Sequence, residues 1–407
     1  MDTTNLNTNY EKVRQICEAD SKLSVKVIDE FLLYYAAAKY HLNRSMTEAF
    51  NAYRHITQDF KQEWVNLLKA QYIAHKIFKK GGLVRKLTNH VELNRFNQQE
   101  KDFLSKQSQV PWRFCFSKIV DNPAPDFFIM EDVLSGEIFT LFSPNTSETL
   151  KSQSAILWFN LIAFNGSCWV TYGPIIAYKS FDVDDIFFFA TELESQITSE
   201  DDIARNIDKN PLPYMMLLSG ANFPITMNKQ DQLVHNYAEY DIDQIDTESL
   251  KKAFTSAYSH GVYQFTLKRW GVPPHFSQFY YDEERETIFL LSMTDRGFKK
   301  LVTTINAYGY NFPEESQIRI NPSMEITSEK ILKKDLRLNP YDKLFQVDTP
   351  PEKQDFTDRM NHFLSLILPD FNAGRMNNLE KYAKEAGVDI ETARDLVEQL
   401  RKKYGRF

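Results

Sequence analysis

The chain has 407 residues, 43% of them apolar and 25% charged, with a net charge of −7. That length exceeds one ordinary hydrophobic core, so roughly two to four domains are expected, and the balanced composition excludes large-scale disorder. The acid excess excludes a surface that is basic throughout, so any nucleic-acid contact must be local.

The opening residues, Met1 to Tyr10, are polar and rich in Asn and Thr, without the apolar core of a secretory leader. No run reaches the roughly 18 uninterrupted apolar residues that span a bilayer. Three cysteines, Cys17, Cys115 and Cys168, stand far apart with no CxxC spacing. They suggest neither a zinc site nor a disulfide framework, and isolated cysteines on apolar segments read as small buried hydrophobes. A cytoplasmic location without a membrane partner is expected.

Residues 1–108 read as a helical domain. Val27, Ile28, Phe31, Leu32 and Tyr35 fall at helical spacing. Ser45-Met46-Thr47-Glu48 has the form of a capping box. After it, the stripe of Phe50, Tyr53, Ile56, Phe60, Trp64, Leu67 and Leu68 predicts one helix running to Phe78, ended by Gly81-Gly82. A basic stretch follows the same path: Lys69, Lys76, Lys79, Lys80, Arg85, Lys86 and Arg95 stand against Glu92 alone, a net +6. Within an acidic protein this segregation marks a surface for a phosphate-rich partner. The plainer reading is that Lys76, Lys79 and Lys80 offset the dipole of a helix C-terminus.

Residues 109–192 predict a small β domain, barrel-like or a curled sheet. Short apolar runs at 112–116, 127–130, 138–142, 157–164, 169–172 and 186–189 are separated by turn residues, with hairpin signals at Ser135-Gly136 and Asn165-Gly166. Trp112, Phe114, Phe116, Phe127, Phe139, Trp158 and Trp169 are the kind of side chain on which bases stack. They lack interleaved Lys and Arg, so core packing is the better reading. From Asp182 to Asp208 the chain is strongly acidic, with Arg205 as the only Lys or Arg inside it. It reads as a solvated helix, a loop and a domain boundary; a divalent-metal site would need those carboxylates to converge.

Residues 193–348 predict an α+β domain entered through that acidic segment. Strands are expected at 234–240, 263–267, 276–281 and 287–292, with helices over Asp246 to Tyr258 and Thr294 to Tyr308. Thr349-Pro350-Pro351 marks a linker into a helical tail, 349–407. There, Phe356, Met360, Phe363, Leu364 and Ile367 share a helix face that Pro369 should end. Ala383, Gly387, Ala393 and Leu396 then carry helix-turn-helix spacing. The second of these helices would expose Glu391, Arg394, Asp395, Glu398, Gln399, Arg401 and Lys402, with Lys403 and Arg406 beyond. Its basic residues Arg394, Arg401, Lys402 and Lys403 are candidates for nucleic-acid contact. The acids among them favour a docking helix.

The expected fold class is therefore multi-domain α+β. Walker, GxGxxG, HExxH and GxSxG patterns are absent, and the eight histidines show no metal spacing. Asp126 and Glu131-Asp132 lack the lysine a nuclease-like set would add. No catalytic residue, metal or cofactor is expected. The sequence points to a binding or scaffold protein that contacts nucleic acid or a nucleoprotein through Lys76, Lys79, Lys80, Arg85, Lys86 and the tail. The alternatives are a protein–protein or self-association module acting through the tail, and a hydrolase-type enzyme without a recognisable motif.

Three segments carry a resemblance: LNRFNQQEKDFLSKQSQVPWRFCFSKI, FFIMEDVLSGEIFTLF and FYYDEERETIFLLSMTDRGFKKLVTTI. Their order resembles that of bacterial proteins of unassigned function, some of which carry a SEC-C zinc motif. The resemblance covers roughly residues 25 to 310 and implies a domain order. The CxC pair of the zinc motif is missing here, so the resemblance implies no zinc.

Overall fold

The N-terminal apolar stripe forms as a helix capped by Asn9, whose side chain accepts from the Lys12 N–H. The computed structural model describes residues 9–336, 338–345, 351–372 and 378–404, excluding the side chains of 351–354, 357, 368–372 and 401–404. The chain divides into two compact units, Met1–Pro340 and Tyr341–Phe407. The architecture is multi-domain α+β, and among the described residues no helix is long and apolar enough to cross a membrane.

Helix α1 (Tyr10–Ser24) runs through a π-helical stretch, Val25–Leu32, into α2 (Leu33–Lys39). Val27, Ile28, Leu32, Ala36 and Ala37 are buried along it. Helix α3 (Leu42–Ala52) follows a left-handed His41. The capping box expected at Ser45 is not formed. Ser45 lies inside α3 and donates to the Leu42 carbonyl at 3.2 Å, because the helix has already begun three residues earlier. The single long helix is also broken, into α3, α4 (Arg54–Thr57) and α5 (Gln62–Phe78). A straight helix from Phe50 to Phe78 would be roughly 43 Å long; the breaks fold α3 back onto α5 instead. After α5, Gly81 turns the chain with φ +71°. Helix α6 (Val84–Leu87) and α7 (Gln98–Gln107) complete this layer. A true capping box, Asn97 with Glu100, opens α7.

Strands β1 (Arg113–Ala124), β2 (Phe127–Asp132), β3 (Ile138–Phe142), β4 (Leu157–Phe164) and β5 (Trp169–Tyr178) close into a barrel of order β1-β2-β3-β5-β4. All pairs are antiparallel except β3–β5. Alternation divides the apolar residues. Cys115, Phe128, Met130, Phe139, Leu141, Trp158 and Ile162 form one cluster. Phe114, Phe116, Phe159, Leu161 and Tyr178 take the other face, in a core shared with α5 and the helices that follow. Trp112, Phe114, Phe116, Phe127, Phe139 and Trp158 are buried and Trp169 is half-buried. Helix α8 (Pro144–Ser152) links β3 to β4, capped by Ser143.

The acidic segment forms two helices, α9 (Val183–Leu193) and α10 (Glu200–Lys209). Ile186 to Phe189, read as a strand, belongs to α9. Asp182 and Asp185 make a capping box there, and Ile186, Phe189 and Ala190 fall on one buried helical face. Nor is the segment simply solvated: Asp185 is buried at 1% exposure, and Ile203 and Ile207 of α10 enter the core.

After α11 (Leu212–Met216) and a ribbon of β6 (Met227–Asn228) and β7 (Asp231–Gln232), a second sheet begins with β8 (His235–Asp241). The helix expected from Asp246 to Tyr258 stops after one turn, α12 (Thr247–Leu250), and β9 (Phe254–Ser259) follows. The cause is in the burial: only Phe254 of β9 reaches the core, and Thr255 to Tyr258 form an exposed edge paired with β10 (Val262–Leu267). Strands β11 (Gln278–Asp282) and β12 (Thr287–Ser292), helix α13 (Asp295–Asn306), β13 (Ile318–Ile320) and α14 (Pro322–Leu332) complete the unit. The sheet order is β13-β8-β12-β11-β10-β9. Phe298, Leu301, Val302 and Ile305 of α13 pack on Ala238, Phe279, Ile288 and Leu290.

The second unit holds α15 (Pro351–Asn372), α16 (Leu379–Ala386) and α17 (Ile390–Tyr404) around Phe363, Ile367, Ala383, Ala386, Ala393 and Val397. Helix α15 runs past Pro369, where a stop was expected, since a proline removes one N–H and kinks a helix without having to end it. Gly387 turns α16 into α17 with φ +66°.

Candidate functional site

The basic stretch is split by its own neighbours. On the last turns of α5, the Lys79 ammonium donates to the Asp208 carbonyl at 2.6 Å and lies 3.2 Å from the Asp208 carboxylate. Lys76 donates to the Lys209 carbonyl at 3.4 Å and sits over the Tyr72 ring. Both cations stand at the C-terminal end of α5 and also reach the carbonyls at the C-terminus of α10. Buried His75 completes the group, 3.3 Å from Asp208. Burial works against the Asp208 charge, yet hydrogen bonds from His75 and Lys79 hold its carboxyl below the ordinary value. Lys69 covers the Phe50 ring and Arg95 the Phe31 ring.

Lys80, Arg85 and Lys86 remain. All three are exposed at the α5–α6 corner, and none makes an ion pair with a described residue. Three of the five cations singled out here are thus exposed and outside any ion pair with a described residue, and the other two are engaged internally.

In the second unit, Arg394 points from α17 toward Glu380 of α16, 3.6 Å away, and both side chains are exposed. Glu391, Asp395, Glu398 and Gln399 share that outer surface. The side chains of Arg401, Lys402 and Lys403 lie outside the described residues.

A second site, at the end of the barrel, has no counterpart in the sequence reading. Tyr10, Val13 and Cys17 of α1 pack on Phe127, Phe142, Val170 and Cys168. Arg14 anchors the contact: it donates to Asp126 at 2.8 Å and to the Pro125 carbonyl, with its guanidinium over the rings of Phe127 and Phe142. Beside this contact lies a cavity of about 570 Å³ lined by Arg14, Cys17, Asp20, Trp112, Phe142 and Tyr172. Exposed Glu18, Ser21 and Lys22 also border it, so it reaches the surface. The Cys17 and Cys168 sulfurs are 3.5 Å apart, and the Asn165 amide donates to Cys17 at 3.2 Å. Asn165 is itself fixed, accepting from the Ser167 and Cys168 N–H groups at 3.0 Å each. These partners are separated by 151 residues, and no local signal joins them.

The carboxylates disperse. Asp182 pairs with Lys118, Asp185 bonds Asn321, Asp202 meets Ser199 and Arg205, and Asp208 belongs to the α5 cations. Among the described residues, no three His, Cys, Asp or Glu side chains come together in a way that could hold a metal ion. Among the carboxyls that burial raises, two are shifted far. Burial raises Asp185 to about 6. Burial, with Glu329 and Asp335 nearby, raises Glu325 to about 7. Burial lowers His235, 3.4 Å from Glu325, to about 4. Between those two values the Glu325–His235 contact is a neutral one.

Comparisons of the chain with family models, with curated proteins and with solved structures found no match.

Proposed function

We propose that this is a cytoplasmic binding protein that holds a nucleic acid at the α5–α6 corner by electrostatic contact with phosphates. One observation carries the reading: Lys80, Arg85 and Lys86 are exposed together without a carboxylate partner, in a protein of net charge −7. A cationic cluster kept free against that background is the footprint of a polyanion. Three buried cysteines without a disulfide fit a reducing compartment.

The barrel is a less suitable surface. Five-stranded Greek-key barrels of the oligonucleotide-binding type use the β2–β3 face and the β1–β2 and β4–β5 loops. Here α1 covers that end, and Phe127 and Phe142 are buried beneath it.

The test is binding of a labelled oligonucleotide of about 20 nucleotides across a salt series. Three phosphate contacts give a slope of log affinity against log salt of about −2 to −3. Reversing Lys80, Arg85 and Lys86 to Glu should flatten that slope and weaken binding by about tenfold or more. Absence of binding at low salt, or an unchanged slope in the triple variant, overturns the reading.

A second reading rests on the tail. Arg394 is engaged by Glu380, and α17 mixes acids with bases, which suits a protein partner better than phosphate. If α16 and α17 dock on another protein or a second copy, deleting 341–407 changes oligomeric state or partner capture while Met1–Pro340 stays folded. An unchanged elution and light-scattering mass, with no partner lost, removes it.

A further inference from the structure

We propose that Cys17 and Cys168 form a peroxide-reactive dithiol, with Cys17 as the attacking sulfur and Cys168 as the resolving one.

The pair is built for a sulfur–sulfur bond between two remote parts of the chain. Cys17 is carried by α1 and Cys168 by the turn between β4 and β5, yet their sulfurs are 3.5 Å apart. A disulfide needs about 2.05 Å, so the sulfurs must approach by about 1.5 Å to bond. Their surroundings are unequal. Cys17 lines the cavity that reaches the surface past Glu18, Ser21 and Lys22, whereas Cys168 does not line it. Cys17 also receives the Asn165 amide N–H, and the Asn165 carbonyl oxygen is held by two backbone N–H groups that fix its orientation. Either thiol of the pair can donate to the other, and the roles assigned here place the S–H on Cys168. That thiol chiefly, with Asn165 helping, lowers the Cys17 pKa against the opposing effect of burial, while Cys168 is raised. The sulfur that meets the cavity is thus the one favoured as thiolate, the form that attacks. Cys115 is the internal comparison: it lines only a smaller cavity of about 100 Å³, has no cysteine partner, and its thiol is raised well above the ordinary value by burial.

The oxidant is a hydroperoxide. The Cys17 thiolate attacks one peroxide oxygen, forming S–O as O–O breaks. The leaving hydroxide takes a proton and departs as water, and Cys17 is left as a sulfenic acid, oxidised by two electrons. The Cys168 sulfur then attacks the Cys17 sulfur. S–S forms, S–O breaks, and the sulfenic oxygen leaves as water with the Cys168 proton. In total two thiols and one hydrogen peroxide give one disulfide and two waters. A small dithiol reductant returns the pair to its starting state by exchange. In the oxidised form α1 is covalently fixed to the barrel end.

The experiment uses the full chain treated with hydrogen peroxide near neutral pH, followed by quenching and peptide mapping without reduction. The expected result is a linked pair of peptides carrying Cys17 and Cys168, formed at least about tenfold faster than any oxidation of Cys115 and reversed by dithiothreitol. In Cys168→Ser, a dimedone adduct should collect on Cys17, because the resolving thiol is gone. Because that variant can lose stability, the wild-type map decides on its own. Oxidation led by Cys115, links between separate chains, or no Cys17–Cys168 peptide overturns the proposal. A dimedone adduct on Cys168 in Cys17→Ser, with none on Cys17 in Cys168→Ser, overturns the assignment of roles.

Discussion

Two carboxyls retain protons well above the usual range, and the sign of their effect follows from burial. Asp185 accepts from the Asn321 backbone N–H and side-chain amide, each at 2.7 Å, tying the start of α9 to the start of α14. Glu325, on α14, has the larger shift, to about 7. Its folded pKa lies above the unfolded value, so the folded state binds more protons between the two. The stability it contributes is fully present below about pH 4.5 and is lost as pH rises through 7. Glu325→Gln keeps the volume without the charge. Relative to the parent, the variant should gain about 3 kcal/mol between pH 4.5 and pH 8, read by urea unfolding at each pH. A difference that does not vary across that range would place the proton elsewhere. None of this was legible in the sequence: Glu325 looks like any surface acid until its neighbours Glu329, Asp335 and His235 are placed around it.

Short elements whose patterns allow two structures are where the sequence reading went astray. Ile186 to Phe189 is a run of four apolar residues that fits a strand or a buried helix turn. The deciding signal was the Asp182–Asp185 capping box, which is local and was available. Leu250, Ala253, Phe254 and Ala257 fit a helix on spacing alone. Pairing with β10 across the His260-Gly261 turn, whose two residues have positive φ, makes their second half an edge strand, so a local hairpin outweighed the helical spacing. By contrast, the tail glycine was readable because its role is conformational. Gly387 adopts φ +66°, and a Cβ there would also meet the Arg359 side chain at 3.2 Å. Gly387→Ala should destabilise the α16–α17 unit by about 1 kcal/mol, seen as an earlier loss of tail amide protection in hydrogen exchange, with Met1–Pro340 unaffected. Unchanged protection would mean the turn relaxes without cost.

At the scale of the whole molecule, the α+β class and a small β domain, barrel-like or curled, followed from periodicity and turns, which act over a few residues; that it closes is seen only in the pairing of β1 with β4 and of β3 with β5. The candidate sites were less accessible. Charge counting found the α5–α6 corner but could not separate Lys80, Arg85 and Lys86 from Lys76 and Lys79, because the carbonyls that engage the last two belong to α10, more than a hundred residues later. The dithiol was invisible for the same reason, since its two halves are 151 residues apart.

That separation sets an order of events when the chain is made. At about 5 to 20 residues per second, α1 leaves the ribosome roughly 8 to 30 s before the β4–β5 turn it will rest on. Through that interval Tyr10, Val13 and Cys17 have no barrel to cover, and a helix of this length is marginal by itself in water. Docking of α1 therefore waits until the last barrel strand is in place, although α1 is the first helix to leave the ribosome.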